Sequence, residues 1–139
     1  VQKLKDEYLD RPGPEIGQLK KAGADIFYEH ENVLITFSGD TQIEFVTQNE
    51  LVQRSRILFL ECTYISADRP VERARRWGHI HLDEIVAGAE AFREIEHLFL
   101  IHFSPRYSHK EIKATLQARL PDWLYKRTTP FLSKPGRPG

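Results

Sequence analysis

Apolar and polar positions along this chain fall into patterns that alternate between strand and helix. Continuous apolar runs occur at Val33-Leu34-Ile35-Thr36-Phe37, at Ile57-Leu58-Phe59-Leu60 and at His97-Leu98-Phe99-Leu100-Ile101-His102-Phe103. Runs of that kind predict buried strands. Leu82, Ile85, Val86, Ala89 and Phe92 recur at three- or four-residue spacing, which predicts an amphipathic helix packed on the sheet. A further helix is predicted over 108–119, because Ser108-His109-Lys110-Glu111 is a capping-box sequence. Weaker spacing gives a short helix within 42–55, and another with a basic side over 68–77, stopped by Gly78. Upstream, 24–29 and 32–37 read as two strands joined by the polar His30-Glu31-Asn32 turn, a hairpin that ends at Asp40. Residues 1–9 predict a short helix or an arm, 11–14 break regular structure, and 15–23 read as a loop or helical turn. Past Pro121, Trp123, Leu124, Phe131 and Leu132 remain as anchors, and 134–139 is too rich in Pro and Gly for an ordered segment. The alternation predicts an α/β fold.

Each long strand ends in a group that can bind metal or move a proton: Asp40, Glu61 and His102, with His79 in the loop before the helix at Leu82. In α/β folds the loops after parallel strands share one edge of the sheet, so these residues are expected to converge there. Carboxylate oxygen and imidazole nitrogen are ligands that a hydrolytic zinc site uses, although a catalytic zinc takes about three protein ligands. His30, His97 and His109 read as surface or strand-end residues. Tyr107 and Trp77 read as packing aromatics rather than base-stacking platforms, and Arg69, Arg73, Arg75 and Arg76 as a solvated face, with contact to RNA the alternative.

Composition narrows the partners. With 20 basic and 20 acidic residues among 139 there is no strong overall field, so any nucleic-acid contact must come from a local patch. No apolar run approaches the roughly 18 to 20 residues that span a bilayer, so no membrane partner is expected. The single cysteine, Cys62, can form no internal disulfide, which points to a reducing, cytoplasmic setting. The chain opens on Val1 and contains no methionine. It is therefore expected to be part of a longer protein.

Four segments in order, Phe37-Ser38-Gly39-Asp40-Thr41, Leu60-Glu61-Cys62-Thr63-Tyr64, Gly78-His79-Ile80-His81 and Leu100-Ile101-His102-Phe103-Ser104-Pro105-Arg106-Tyr107-Ser108, resemble the C-terminal half of the metallo-β-lactamase-fold hydrolases. The nearest likeness is to the ribonuclease Z type, which removes the 3′ trailer from precursor tRNA. Pro12-Gly13-Pro14-Glu15-Ile16-Gly17-Gln18-Leu19-Lys20 is similar to that family's Gly-Pro...Gly-x-Leu-Lys loop. The resemblance implies that 1–139 forms the C-terminal part of an αββα domain: a mixed sheet with helices on one face, and its other face turned to a missing N-terminal half, in the same or a separate chain.

By the same resemblance Asp40 bridges two zinc ions and His102 is a terminal ligand of one. Glu61 and His79 match the family's His-Glu-Ala-Thr and His-Ser-Thr motifs and form a relay in which the carboxylate holds an imidazole that protonates the departing ribose oxygen. Arg106, with Ser104, contacts a substrate phosphate. Position 60 is Leu where the motif has His, Cys62 stands for Ala, and Ile80-His81 replaces Ser-Thr, which bears on the substrate more than on the fold. The family's His-x-His-x-Asp-His metal motif is not in this sequence, so the chain alone is expected to hold no zinc pair and to be inactive. His79-Ile80-His81-Leu82-Asp83-Glu84 could be taken for that motif, but it follows the Gly-Asp-Thr strand, where the family's metal motif precedes it. The implied function is a zinc-dependent phosphodiesterase or endoribonuclease acting on precursor tRNA. The alternatives are a related hydrolase of a small phosphodiester or ester, and a non-catalytic assembly subunit. A homodimer is compatible with each.

Overall fold

Leu58, Leu60, Leu98 and Leu100 have no exposed surface, and the chain is built on the sheet that buries them. In the computed structural model the described residues are 2–5, 13, 27–29 and 32–133. They divide into two units, Val1–Asn32 and Val33–Gly139.

In the first unit, β1 (Gln2–Leu4) pairs antiparallel with β2 (Phe27–Glu29). The expected helix or arm at 1–9 is thus a strand where it is described. The expected hairpin of 24–29 with 32–37 does not form, because β2 finds its ladder in β1. Residues 6–12, 14–26, 30–31 and 134–139 lie outside the described residues, and with them the expected chain break, loop, turn and tail.

The second unit carries four parallel strands, β3 (Ile35–Phe37), β4 (Ile57–Glu61), β5 (His97–Ile101) and β6 (Thr128–Pro130), in that order across the sheet. Register pairs Ile35 with Ile57, Ile57 with His97 and Leu98 with Thr128. Strand β6 was not expected from the sequence. Its three residues are half polar and end in a proline, which is tolerated at a sheet edge.

Helices explain the closed face. α1 (Glu44–Thr47) and α2 (Glu50–Gln53) replace the single helix expected in 42–55. The break falls at Asn49, whose side chain accepts the Leu51 and Val52 amides at 3.2 and 3.4 Å and so starts a new helix. α3 (Val71–Arg76) begins after Pro70, and α4 (Leu82–Ala87) stops at Gly88, followed by a 3₁₀ turn over Ala89–Phe92. A side chain at Gly88 would meet the Thr47 methyl at 3.2 Å, so the backbone passes close there. α5 (His109–Arg119) has the expected capping box, with Ser108 and Glu111 bonded reciprocally at 3.1 and 2.8 Å, and α6 (Asp122–Tyr125) precedes β6. Val46, Val52, Leu82, Ile85, Phe92, Ile112, Leu116 and Leu124 form a single core with the strand leucines. Each large apolar side chain so buried stabilises by roughly 1.5–3 kcal/mol.

Alternation places the other strand residues on the opposite face. Ile35 and Phe37 are 62% and 67% exposed, and rings line up across the strands, Phe37 to Phe59 at 5.5 Å and Phe59 to Phe99 at 4.7 Å, with His97 beside Phe99 along β5 at 4.5 Å. That face is apolar and open. Arg75 ties the helix layer together by bonding Glu44 at 2.5 Å and Glu84 at 2.8 Å, and its hydrogen bond lowers the Glu44 pKa. It does not belong to a merely solvated arginine face.

Cys62 is fully buried just past β4, and burial first, then the charge of Glu61, pushes its thiol pKa well above the usual value. The native state therefore keeps the thiol neutral where the unfolded chain ionises it. This contribution is complete below the ordinary thiol pKa, about 8.5, and is lost as pH rises above it, at up to about 1.4 kcal/mol per pH unit. In the intact protein, Cys62→Ala should flatten the decline of denaturant midpoints from about pH 8 to about pH 10; an unaltered decline would assign the alkaline loss to other groups.

Candidate active site

Glu61 is the last residue of β4 and has no exposed surface. Its Oε1 accepts the Ile80 amide at 2.9 Å and faces His79 Nδ1 at 3.2 Å. Its Oε2 accepts the Thr63 amide at 3.1 Å and the Thr63 hydroxyl at 2.7 Å. Four donors fill the acceptor sites of an ionised carboxylate. A carboxylate only accepts, so Nδ1 carries the proton, and Nε2 on the opposite side of the ring has no hydrogen bond among the described residues. The His79 side chain is 24% exposed, with the Tyr64 ring nearly perpendicular to it, centroids 6.3 Å apart.

His79 is held from the other direction by the end of α3. The His79 amide bonds Ala74 O at 2.8 Å and the Gly78 amide bonds Arg75 O at 3.1 Å, with Gly78 at φ 72. This is a Schellman cap, which requires the left-handed conformation that glycine adopts without strain. A local helix stop thus sets the imidazole position.

Asp40 and His102 come together over the end of β4. Their strands, β3 and β5, stand two strand spacings apart, roughly 10 Å, yet His102 Nδ1 lies 3.9 Å from Asp40 Oδ1, with both side chains about two-thirds exposed. That separation is too long for a hydrogen bond. His102 has φ 64, a left-handed backbone at a non-glycine residue, which costs on the order of 1–3 kcal/mol and is concentrated at functional positions. The backbone joins the two pairs. Glu61 donates its amide to Ser38 Oγ at 3.1 Å, two residues before Asp40, and the Cys62 amide bonds Ile101 O at 2.9 Å, next to His102.

Ser104 and Arg106 separate. Ser104 lines a cleft with His102, Phe103, Tyr107 and Leu132, and its amide bonds Thr63 O at 2.9 Å. Arg106 lines a second cleft, shared only through Tyr107, where it faces Asp68 at 3.5 Å. Tyr107 is the packing aromatic expected: its hydroxyl accepts the Ile65 amide at 3.2 Å and pairs with Ser66 Oγ at 2.7 Å. Trp77 is not one, being 66% exposed.

His81 resolves the ambiguous histidine pair. It is 1% exposed, its Nδ1 accepts the Asp83 amide at 2.9 Å as the N-cap of α4, and its Nε2 therefore carries the proton toward Ser66 O at 2.9 Å. Both nitrogens are committed, so His79-Ile80-His81 is not a metal pair. Among the described residues, no group of three or more His, Cys, Asp or Glu is arranged to hold a metal ion. Asp40 and His102 are donors of the kind a divalent metal takes, but they are two.

No family model matches the chain. It is 40% identical over 121 residues to tRNase Z TRZ1 of Arabidopsis thaliana, and 30% identical over 137 residues to the chloroplastic tRNase Z TRZ2 of that plant. The chain is thus similar to part of two tRNase Z proteins. These matches take in 86% and 95% of the chain but 43% and 38% of the two relatives, so it spans about two fifths of their length. Among solved structures, the metallo-beta-lactamase fold protein YhfI from Bacillus subtilis overlays on 70% of this chain and 36% of its own at TM-score 0.49 and 15% identity. The α/β class and the ribonuclease Z resemblance read from the sequence both hold. No described helix is long and apolar enough to cross a membrane.

Two partners of the site had not been singled out, Thr63, whose amide and hydroxyl hold Glu61, and Ser38, which fixes the β4 end; the capping role was likewise missed for His81. The signal for the last was its place before Leu82-Asp83-Glu84, the pattern of a helix start. His81→Thr in the intact protein should keep the cap and most of the stability, whereas His81→Leu leaves the Asp83 amide and Ser66 carbonyl without partners and should cost about 1–3 kcal/mol for each one buried. Denaturant titration of both variants checks this, and equal stability of the two would refute the capping role.

Proposed function

We propose that the complete protein is a metal-dependent phosphodiesterase of the ribonuclease Z type, acting on precursor tRNA, and that this chain supplies the C-terminal part of its domain. The observation that carries the proposal is the pairing of a buried, fully hydrogen-bonded Glu61 with a half-open His79, along the strand edge where Asp40 and His102 meet.

In this reading Glu61 fixes the His79 ring through Nδ1 and holds it as the imidazolium, so that the second proton, on Nε2, passes to the departing ribose oxygen, a contribution of about 10²–10⁴-fold. Asp40 and His102 would hold zinc, two ions in the complete site, with the remaining ligands from an N-terminal half in the same or a separate chain. Bound zinc would supply charge stabilisation at the phosphoryl centre and a nucleophile near neutral pH. The donor set fits: one carboxylate and one imidazole, 3.9 Å apart and exposed, with His102 held in a costly backbone conformation. Ser104, which lines a cleft with His102, would meet a substrate oxygen. Arg106 would reach a phosphate only by leaving Asp68. The open aromatic face of the sheet is the surface the N-terminal half would cover. A cytoplasmic setting accords with a buried, unpaired Cys62.

Two variants of the complete protein separate the roles. His79→Ala should lower turnover of precursor tRNA by about 10²–10⁴-fold with zinc content nearly unchanged, while His102→Ala should lower zinc content and turnover together. Elemental analysis beside a cleavage assay reads both, and loss of zinc in His79→Ala would make it a ligand instead. Precursor tRNA should also compete against a small chromogenic phosphodiester; if it does not, the substrate is the small ester.

A further inference from the structure

Trp77 is accounted for neither by packing nor by the proton chemistry above. Tryptophan is highly buried on average, yet this one is 66% exposed. It is also held rigidly, as the C-cap of α3 in the turn that places His79. The next residue, Gly78, lines a cleft with Asp40, Thr41 and Gln42, and Gln42 Nε2 bonds Arg75 O at 2.8 Å, which pins the end of α3 to the Asp40 loop. On the same turn of helix Arg73 and Arg76 are exposed, and neither makes an ion pair among the described residues, while Arg75 between them is spent on Glu44 and Glu84. A flat, exposed ring flanked by unpaired guanidinium groups is the chemistry that receives a nucleobase and its phosphates.

We propose that Trp77 is a base-stacking platform for the RNA substrate, taking the base of the nucleotide that carries the departing ribose oxygen, with Arg73 and Arg76 on neighbouring phosphates. The inference rests on the functional reading above, in which that substrate is RNA. The nucleotide follows from geometry: His79 must reach its ribose oxygen, and Trp77 lies two residues away, at most about 7 Å along the chain. A protein layer over the open sheet face does not account for Trp77, because that face is made of β3, β4 and β5 side chains and Trp77 follows α3.

The test compares Trp77→Ala and Trp77→Phe with the parent in the complete protein. With a 3′-extended precursor tRNA, Trp77→Ala should raise KM roughly 5- to 100-fold, and Trp77→Phe should retain most of the affinity. Hydrolysis of bis(p-nitrophenyl) phosphate, which has no base to stack, should stay at the parent level. A precursor that is abasic at the nucleotide 5′ of the cut should abolish the difference between parent and Trp77→Ala. Replacing both Arg73 and Arg76 by Gln should weaken RNA binding and lessen its salt dependence. An unchanged KM for RNA overturns the proposal, as does an equal loss on both substrates, which would make Trp77 a packing residue. A difference that survives the abasic substitution overturns the nucleotide assignment. A parent that cleaves the small diester and not the RNA overturns the functional reading and this inference together.

Discussion

A carboxylate with no access to water organises the edge of the sheet where Asp40, His79 and His102 stand. Removing an ionised group from water costs several kcal/mol even after relaxation, and at Glu61 that cost is offset by two amides, a hydroxyl and an imidazole. The three residues that supply these donors answer different requirements. Thr63 fixes the chain just past β4, Ile80 fixes the loop that enters α4, and His79 is the group to be positioned. The same carboxylate therefore closes the fold and aims the ring, so its geometry is determined by backbone as much as by side chains.

The parallel order of the sheet does the rest. With β3, β4 and β5 side by side, the residues that follow them must emerge on one edge, and Asp40 and His102 reach over the end of β4 to within 3.9 Å. His102 achieves this by leaving the strand in a left-handed turn immediately after Ile101. The strand thus ends two residues earlier than its apolar sequence suggests, and the early ending is what turns the imidazole toward Asp40.

Long-range pairing was the part of the fold least legible in the sequence. Buried strands at Ile57–Glu61 and His97–Ile101 and the capped helix after Ser108 follow from local pattern, and all three form. Local pattern does not name a ladder partner, however: 32–37 looked like half of a hairpin, yet Ile35–Phe37 pairs with β4. Short elements failed for another reason. Thr128–Pro130 has no periodicity to read, and Asn49 and Gly88 interrupt helices through cap chemistry and close packing. Strand-end positions pointed to Asp40, Glu61 and His102 and a helix start to His79, and the structure pairs them as Glu61 with His79 and Asp40 with His102. The commitments of His81, Arg106 and Trp77 depended on three-dimensional surroundings: one imidazole proved to be a helix cap, one guanidinium was already engaged, and one indole stood largely exposed.

The row of rings on the open side of the sheet bears on how such a chain is made. Left bare, Phe37, Phe59 and Phe99 present a greasy surface to every neighbour leaving the ribosome, and a segment in that condition is prone to self-association. A covering layer already synthesised would shorten that exposed interval, a kinetic benefit separate from any catalytic one.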